Sequence, residues 1–188
     1  VNTARLLRIL VFVAAATPGV LLGLAFLAGA LATPYRTILH ETGLWSMRLL
    51  SAGLLLSAAA RLSGIGLFGV PRRMLGLFAA FYAFVHAWAW CRQYGYDWGF
   101  LLGELPRTYL LAGLAAALML VPLVATSNAW ARARMGAAWA RLHQLAYAIA
   151  LAALLHFMLS RALPPWESWI HLVLVAGAVL HRVAARRG

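Results

Sequence analysis

Six stretches of the chain, residues 9–32, 44–60, 74–91, 108–131, 142–160 and 162–181, are each long enough to cross a bilayer, and together they hold two charged side chains, Arg48 and Glu167. A helix rises 1.5 Å per residue, so about 20 apolar residues cover the hydrocarbon layer. Water cannot be the solvent of such a chain. It is 64% hydrophobic and 11% charged, with a mean hydropathy of +0.84, whereas soluble domains carry about 25% charged residues. That balance excludes a soluble enzyme with a polar cleft, a disordered chain, a collagen, a disulfide scaffold and a porin barrel. The pattern predicts an all-α membrane protein, a six-transmembrane-helix bundle forming a single domain over residues 1–188. Arg5 and Arg8 before the first stretch, with Ala28-Gly29-Ala30 at its end, resemble a signal peptide. The apolar run exceeds the usual 7–15 residues, however, so a retained helix is the expectation.

The charges predict which way the bundle faces. All 16 basic residues are arginine, against 4 acids, for a net charge of +12. No basic run stands clear of the apolar segments, which argues against nucleic acid as the partner. If all six segments span, one face collects Arg5, Arg8, Arg61, Arg72, Arg73, Arg132, Arg134, Arg141, Arg182, Arg186 and Arg187 with no acid. The other holds Arg36, Arg48, Arg92, Arg107 and Arg161 beside Glu41, Asp97, Glu104 and Glu167. The positive-inside rule makes the first face cytoplasmic, with both termini on it. The tryptophans near segment ends form an interfacial belt, and residues 93–107 offer an outer docking surface. Cys91 is the lone cysteine, so there is no Cys-x-x-Cys-His attachment and no iron–sulfur ligand set. No Gly-rich phosphate loop or GxGxxG is present.

Histidine carries the chemical signal. A polar ring in hydrocarbon is costly and usually has a task. His86 lies 13 residues beyond Arg73 and His156 lies 15 beyond Arg141, on segments that start from the same face, so both sit roughly 20 Å from it. Two imidazoles at one depth suit the axial positions of a haem iron, because a neutral ring nitrogen ligates iron without a buried counter-charge. His143 lies near the cytoplasmic face, 13 residues before His156. Thirteen residues turn an ideal helix by about 220°, so the two rings share a bundle face only if the helix is kinked or bulged. The third segment offers Leu75 and Gly76 at the depth of His143, leaving His181 as a possible partner. His40 beside Glu41, and His171 four residues past Glu167, read as solvated or structural.

Three groups of residues carry a resemblance. They are Ile38-Leu39-His40-Glu41-Thr42-Gly43; Arg72-Arg73-Met74-Leu75-Gly76-Leu77 leading to His86; and Gly136, Trp139, Leu142-His143, Tyr147 and His156. In this order and spacing they resemble the MsrQ (YedZ) family, haem-binding membrane subunits of the bacterial periplasmic methionine sulfoxide reductase system, within the ferric reductase-like transmembrane superfamily. The likeness covers roughly residues 5–185. It implies one ferric reductase-like transmembrane domain in the bacterial inner membrane and haem b, one or two, held by His86, His143 and His156. It also implies quinone as electron donor, a bound FMN, and a periplasmic molybdopterin-containing partner subunit on which sulfoxide reduction takes place. One departure stands out. Many superfamily members carry two histidines on each of two helices, and here Arg73 stands 13 residues before His86.

A proton-relay or transport protein with titrating histidines is the competing class. It lacks an intramembrane acid beside the histidines and an inverted repeat. A structural or anchoring subunit is the third. Arg72, Arg73, Arg132 and Arg134 suit a flavin phosphate or haem propionates, since the guanidinium fork matches a carboxylate; lipid phosphate is the plainer partner.

Overall fold

The computed structural model describes residues 2–160 and 165–184. Among them every regular element is helical, so backbone polar groups are satisfied within each segment, as lipid requires. Nine α-helices follow one another: α1 (Thr3–Leu27), α2 (Pro34–Ser63), α3 (Arg72–Gln93), α4 (Trp98–Glu104), α5 (Thr108–Ala125), α6 (Ala129–Met135), α7 (Ala137–Leu142), α8 (Leu145–Leu159) and α9 (Pro165–Ala184), with a 3₁₀ turn at Gly66–Gly69. Five spans are long and apolar enough to cross a membrane: Thr3–Leu27, Pro34–Ser63, Gly66–Gln93, Thr108–Ala125 and Ala137–Leu159. The sixth expected segment appears as α9, which does not reach the same apolarity among the described residues. Its start at Ala162, together with Arg161, Arg186 and Arg187, lies outside the described residues.

The chain divides into two compact units, residues 1–103 and 104–188. In the first, α3 runs back along α2, and α1 lies against both. Leu49, Leu75, Ala79 and Tyr82 form the core with Ala15, the buried residue of α1. The rest of α1 presents Leu10, Val13, Val20, Leu21 and Leu24 outward, a face that suits lipid. Pro18 has no N–H to give the α1 ladder. Beside it the Tyr82 hydroxyl donates to Ala15 O at 2.8 Å and accepts from Gly19 N–H at 2.8 Å. Those two groups are each other's partners in a regular helix, so the hydroxyl bridges a ladder bond that the proline opens. A second tie joins α2 to α3: Ser46 Oγ donates to Ala79 O at 2.9 Å.

In the second unit α5 pairs with α8, and α9 packs on α8. The fourth expected segment stops at Ala125 rather than 131, and Asn128 caps a new helix by accepting from Ala131 N–H at 2.7 Å. Gly136, at φ 51, ψ −122, turns α6 into α7 in a conformation that side-chain-bearing residues avoid. The fifth expected segment is interrupted at His143 and Gln144, where Gln144 N, Ala146 N and Tyr147 N bond three residues back rather than four. The departure from an ideal helix between His143 and His156 is therefore real. On α9 the polarity is inside out. Glu167, His171, Val175 and Ala178 are buried, while Trp169, Ile170, Val173 and Leu180 face outward.

Two starts also differ from expectation. α2 begins at Pro34, whose fixed φ suits the first helical position, so His40 and Glu41 lie inside a helix. His171 and Glu167 are buried, with Nε2 4.0 Å from Oε1, and the Phe157 ring packs edge-on to the imidazole. They are structural and not solvated, whereas His40 is exposed.

Candidate functional site

Each deep histidine is held by a carbonyl of the neighbouring helix. On α3, His86 Nδ1 lies 2.7 Å from Leu39 O of α2. A carbonyl oxygen only accepts, so Nδ1 carries the proton and Nε2 the lone pair. In a regular helix Leu39 O is paired with the N–H of residue 43, and that residue is glycine. A Cβ on Gly43 would stand 2.8 Å from His86 Nδ1 and 2.9 Å from Cε1, closer than real contacts allow. The missing side chain is the space that the imidazole occupies.

The second unit builds the same seat. His156 Nδ1 on α8 lies 2.7 Å from Tyr109 O of α5, and a Cβ on Gly113 would stand 2.7 Å from that nitrogen. The Tyr109 ring lies tilted beside the imidazole, with centroids 6.0 Å apart. Histidine and carbonyl are 47 residues apart in both units. Leu39, Gly43 and His86 reappear in the register of Tyr109, Gly113 and His156, each 70 positions on.

His143 is held differently. Its ring stacks on Trp139, with centroids 4.0 Å apart and planes 26° from parallel. Trp139 Nε1 donates to Thr126 O at 2.9 Å. The Thr126 hydroxyl donates to Pro122 O at 2.6 Å and lies 3.0 Å from His143 Nε2. With the hydroxyl proton committed to Pro122, the ring donates from Nε2 and its lone pair falls on Nδ1, the reverse of His86 and His156. His181 is near the end of α9. Its Nε2 and the adjacent Arg182 Nε are buried without a hydrogen-bond partner. Arg72, Arg73, Arg132 and Arg134 are all exposed.

The donor set fits a porphyrin iron. Among the described residues no three His, Cys, Asp or Glu side chains cluster to hold a bare metal ion. Single imidazoles with the proton fixed on Nδ1 suit an iron whose equatorial donors come from a macrocycle. Metal-bound histidines commonly donate their other N–H to a backbone carbonyl, which fixes the tautomer and raises ligand basicity.

Residues 42–154 match the model of the ferric reductase like transmembrane component. A heme-binding subunit MsrQ of a protein-methionine-sulfoxide reductase from Xanthomonas campestris pv. campestris is 44% identical over 130 residues, covering 67% of this chain and 59% of the relative. The Agrobacterium fabrum protein of the same name is 35% identical, over 68% of this chain and 60% of its own length. The Rhodospirillum rubrum one is 39% identical, over 82% and 76%. The chain thus spans about three fifths of the first two relatives. No solved structure matches it. It is a multi-pass membrane protein of the ferric reductase-like class. Within that class, the chain belongs to the MsrQ family.

Four participants escaped the sequence reading: Gly43 and Gly113 as notches, and Thr126 and Trp139 as partners of His143. A signal for the notches was available. Each deep histidine follows a glycine by the same interval, from 43 to 86 and from 113 to 156. The carbonyls of Leu39 and Tyr109 left no such trace, because any residue supplies one.

Proposed function

We propose that this chain is a transmembrane haem b electron-transfer subunit, passing electrons from the quinone pool to a periplasmic methionine sulfoxide reductase subunit that repairs oxidised proteins. The repeated seat carries the reading: two imidazoles, each locked by a carbonyl so that Nε2 is the ligating nitrogen. In this reading His86 and His156 would hold one haem in the outer half of the bilayer. Bound haem would supply one-electron chemistry, and sulfoxide reduction belongs to the molybdopterin-containing, MsrP-like partner. Where two haems are bound, His143 would hold the second, cytoplasmic-side one, with His181 as the candidate partner because its Nε2 is buried with no hydrogen-bond partner among the described residues. FMN and quinone complete the cofactor set that the family resemblance implies.

The inside-out polarity of α9 supports a sixth span. Six spans place both termini on the arginine-rich, cytoplasmic side of the bacterial inner membrane.

The test is spectroscopic. Purified full-length protein is expected to show a Soret band and sharp dithionite-reduced bands, and His86→Ala and His156→Ala are each expected to lose the same haem. A colourless wild type, or full haem content in either variant, would sink the reading. A proton-relay protein predicts that colourless preparation.

A further inference from the structure

We propose that Gly43 and Gly113 are positioning residues for the haem-ligating histidines. The notch each provides holds the imidazole against the carbonyl one turn back, and that bond sets both haem retention and iron potential. The inference rests on the haem reading of His86 and His156, and adds two residues that act through those histidines.

Glycine is costly on a helix. In a helix interior it is disfavoured relative to alanine, since it loses more backbone freedom on folding. A glycine on a spanning helix therefore needs a reason; Gly19 of α1 has one in the Tyr82 hydroxyl, 2.9 Å from where its Cβ would stand, and others show none. A Cβ at Gly23 of α1, Gly76 of α3 or Gly177 of α9 would meet nothing within 4 Å. Gly43 and Gly113 are different, because the atom in the way is in both cases the histidine Nδ1, at 2.8 and 2.7 Å, with the ring carbons close behind. The blocked group is the side chain that each seat orients. Both glycines sit four residues after the carbonyl that the ring bonds, the position whose side chain overhangs that carbonyl on the helix surface. A methyl there drives the ring off Leu39 O or Tyr109 O.

The bond has an electronic consequence. An imidazole whose Nδ1–H is donated to a carbonyl gains anionic character and becomes a stronger donor to ferric iron. Two such bonds stabilise the oxidised haem and keep its potential low, which suits delivery of electrons onward. Pushing a ring away weakens one donor and raises the potential, or frees the haem.

The experiment compares Gly43→Ala and Gly113→Ala with Gly23→Ala and Gly76→Ala in detergent-purified full chain. It reads the haem-to-protein ratio, the low-spin signal in electron paramagnetic resonance, and the midpoint potential from a redox titration. The notch variants are expected to lose the haem at His86 and His156, lowering the ratio from two towards one. Haem that they retain should show a perturbed low-spin signal and a higher potential, while the controls match wild type. Wild-type ratio, spectrum and potential in both notch variants would overturn the proposal.

Stability separates positioning from helix packing. Alanine at 43 is expected to lower the thermal melting temperature in the wild-type background and to leave it unchanged or raise it when His86 is already alanine. An equal loss in both backgrounds would mean that the glycine serves packing, and would equally overturn the proposal. If His86→Ala and His156→Ala abolish the haem while the notch variants keep it intact, only this inference fails. A wild type without haem removes the reading beneath it.

Discussion

The two units solve one problem with different helices. In the first, a pair of long helices joined by a 3₁₀ turn brings His86 to Leu39. In the second, both partners are broken near one end, at Thr126 and at His143, and two short helices fill the interval before α8 brings His156 to Tyr109. The spacing of 47 residues and the 2.7 Å bond survive this change of connection. What is preserved is the immediate surroundings of one ring, and what varies is the route between the halves of the seat. The difference has its own use. Position 73, the counterpart of His143 in this register, is an exposed arginine on the regular helix α3. The break in the second unit gives His143 a stacking partner in Trp139 and an acceptor in Thr126.

That contrast can be broken most decisively at its unequal positions. His143→Ala is expected to remove the cytoplasmic-side haem and leave the outer one, lowering the haem-to-protein ratio from two to one. Arg73→Ala should leave the ratio unchanged. Pyridine haemochrome assays on both variants check this, and equal losses would erase the distinction. A smaller effect is confined to the first unit. Tyr82→Phe removes both bonds that bridge α1 at Pro18, leaving Ala15 O and Gly19 N–H to find other partners in an apolar setting. A loss of about 1–3 kcal/mol is expected from orphaned buried groups, read as a lower melting temperature in detergent with the His156 seat untouched. The smallest effects come from single hydroxyls. Ser46→Ala in the first unit and Thr126→Val in the second each delete one donor, costing about 0.5–1.5 kcal/mol. Thr126→Val should also perturb the spectrum of the haem at His143, and Ser46→Ala should perturb no haem spectrum.

Much of the fold was legible because lipid imposes a simple rule on composition. The apolar stretches around residues 9–32, 74–91 and 142–160 lie within or nearly within the helices observed. The missed features are local. Pro34 started α2 ten residues before the apolar run begins, because helix initiation follows φ and not hydropathy. The fourth stretch ran on to residue 131 in hydropathy, yet Asn128 restarts the chain as a new helix; a capping side chain outweighs apolar continuity. The histidines announced themselves as polar rings in hydrocarbon. Their orientation did not, because it depends on a backbone carbonyl and on the absence of a Cβ, neither of which has a letter of its own. His171 illustrates an open reading that the structure narrows. Four residues past Glu167, it read as solvated or structural, and α9 turns that face inward.

The bridge at Pro18 gives the amino-terminal helix more influence than its sparse packing suggests. Tyr82 precedes His86 by one helical turn on α3, so its hydroxyl ties α1 beside Pro18 to the same helix that carries the His86 imidazole. A helix whose buried residue is Ala15 is thereby fastened to α3 one turn from the histidine seat.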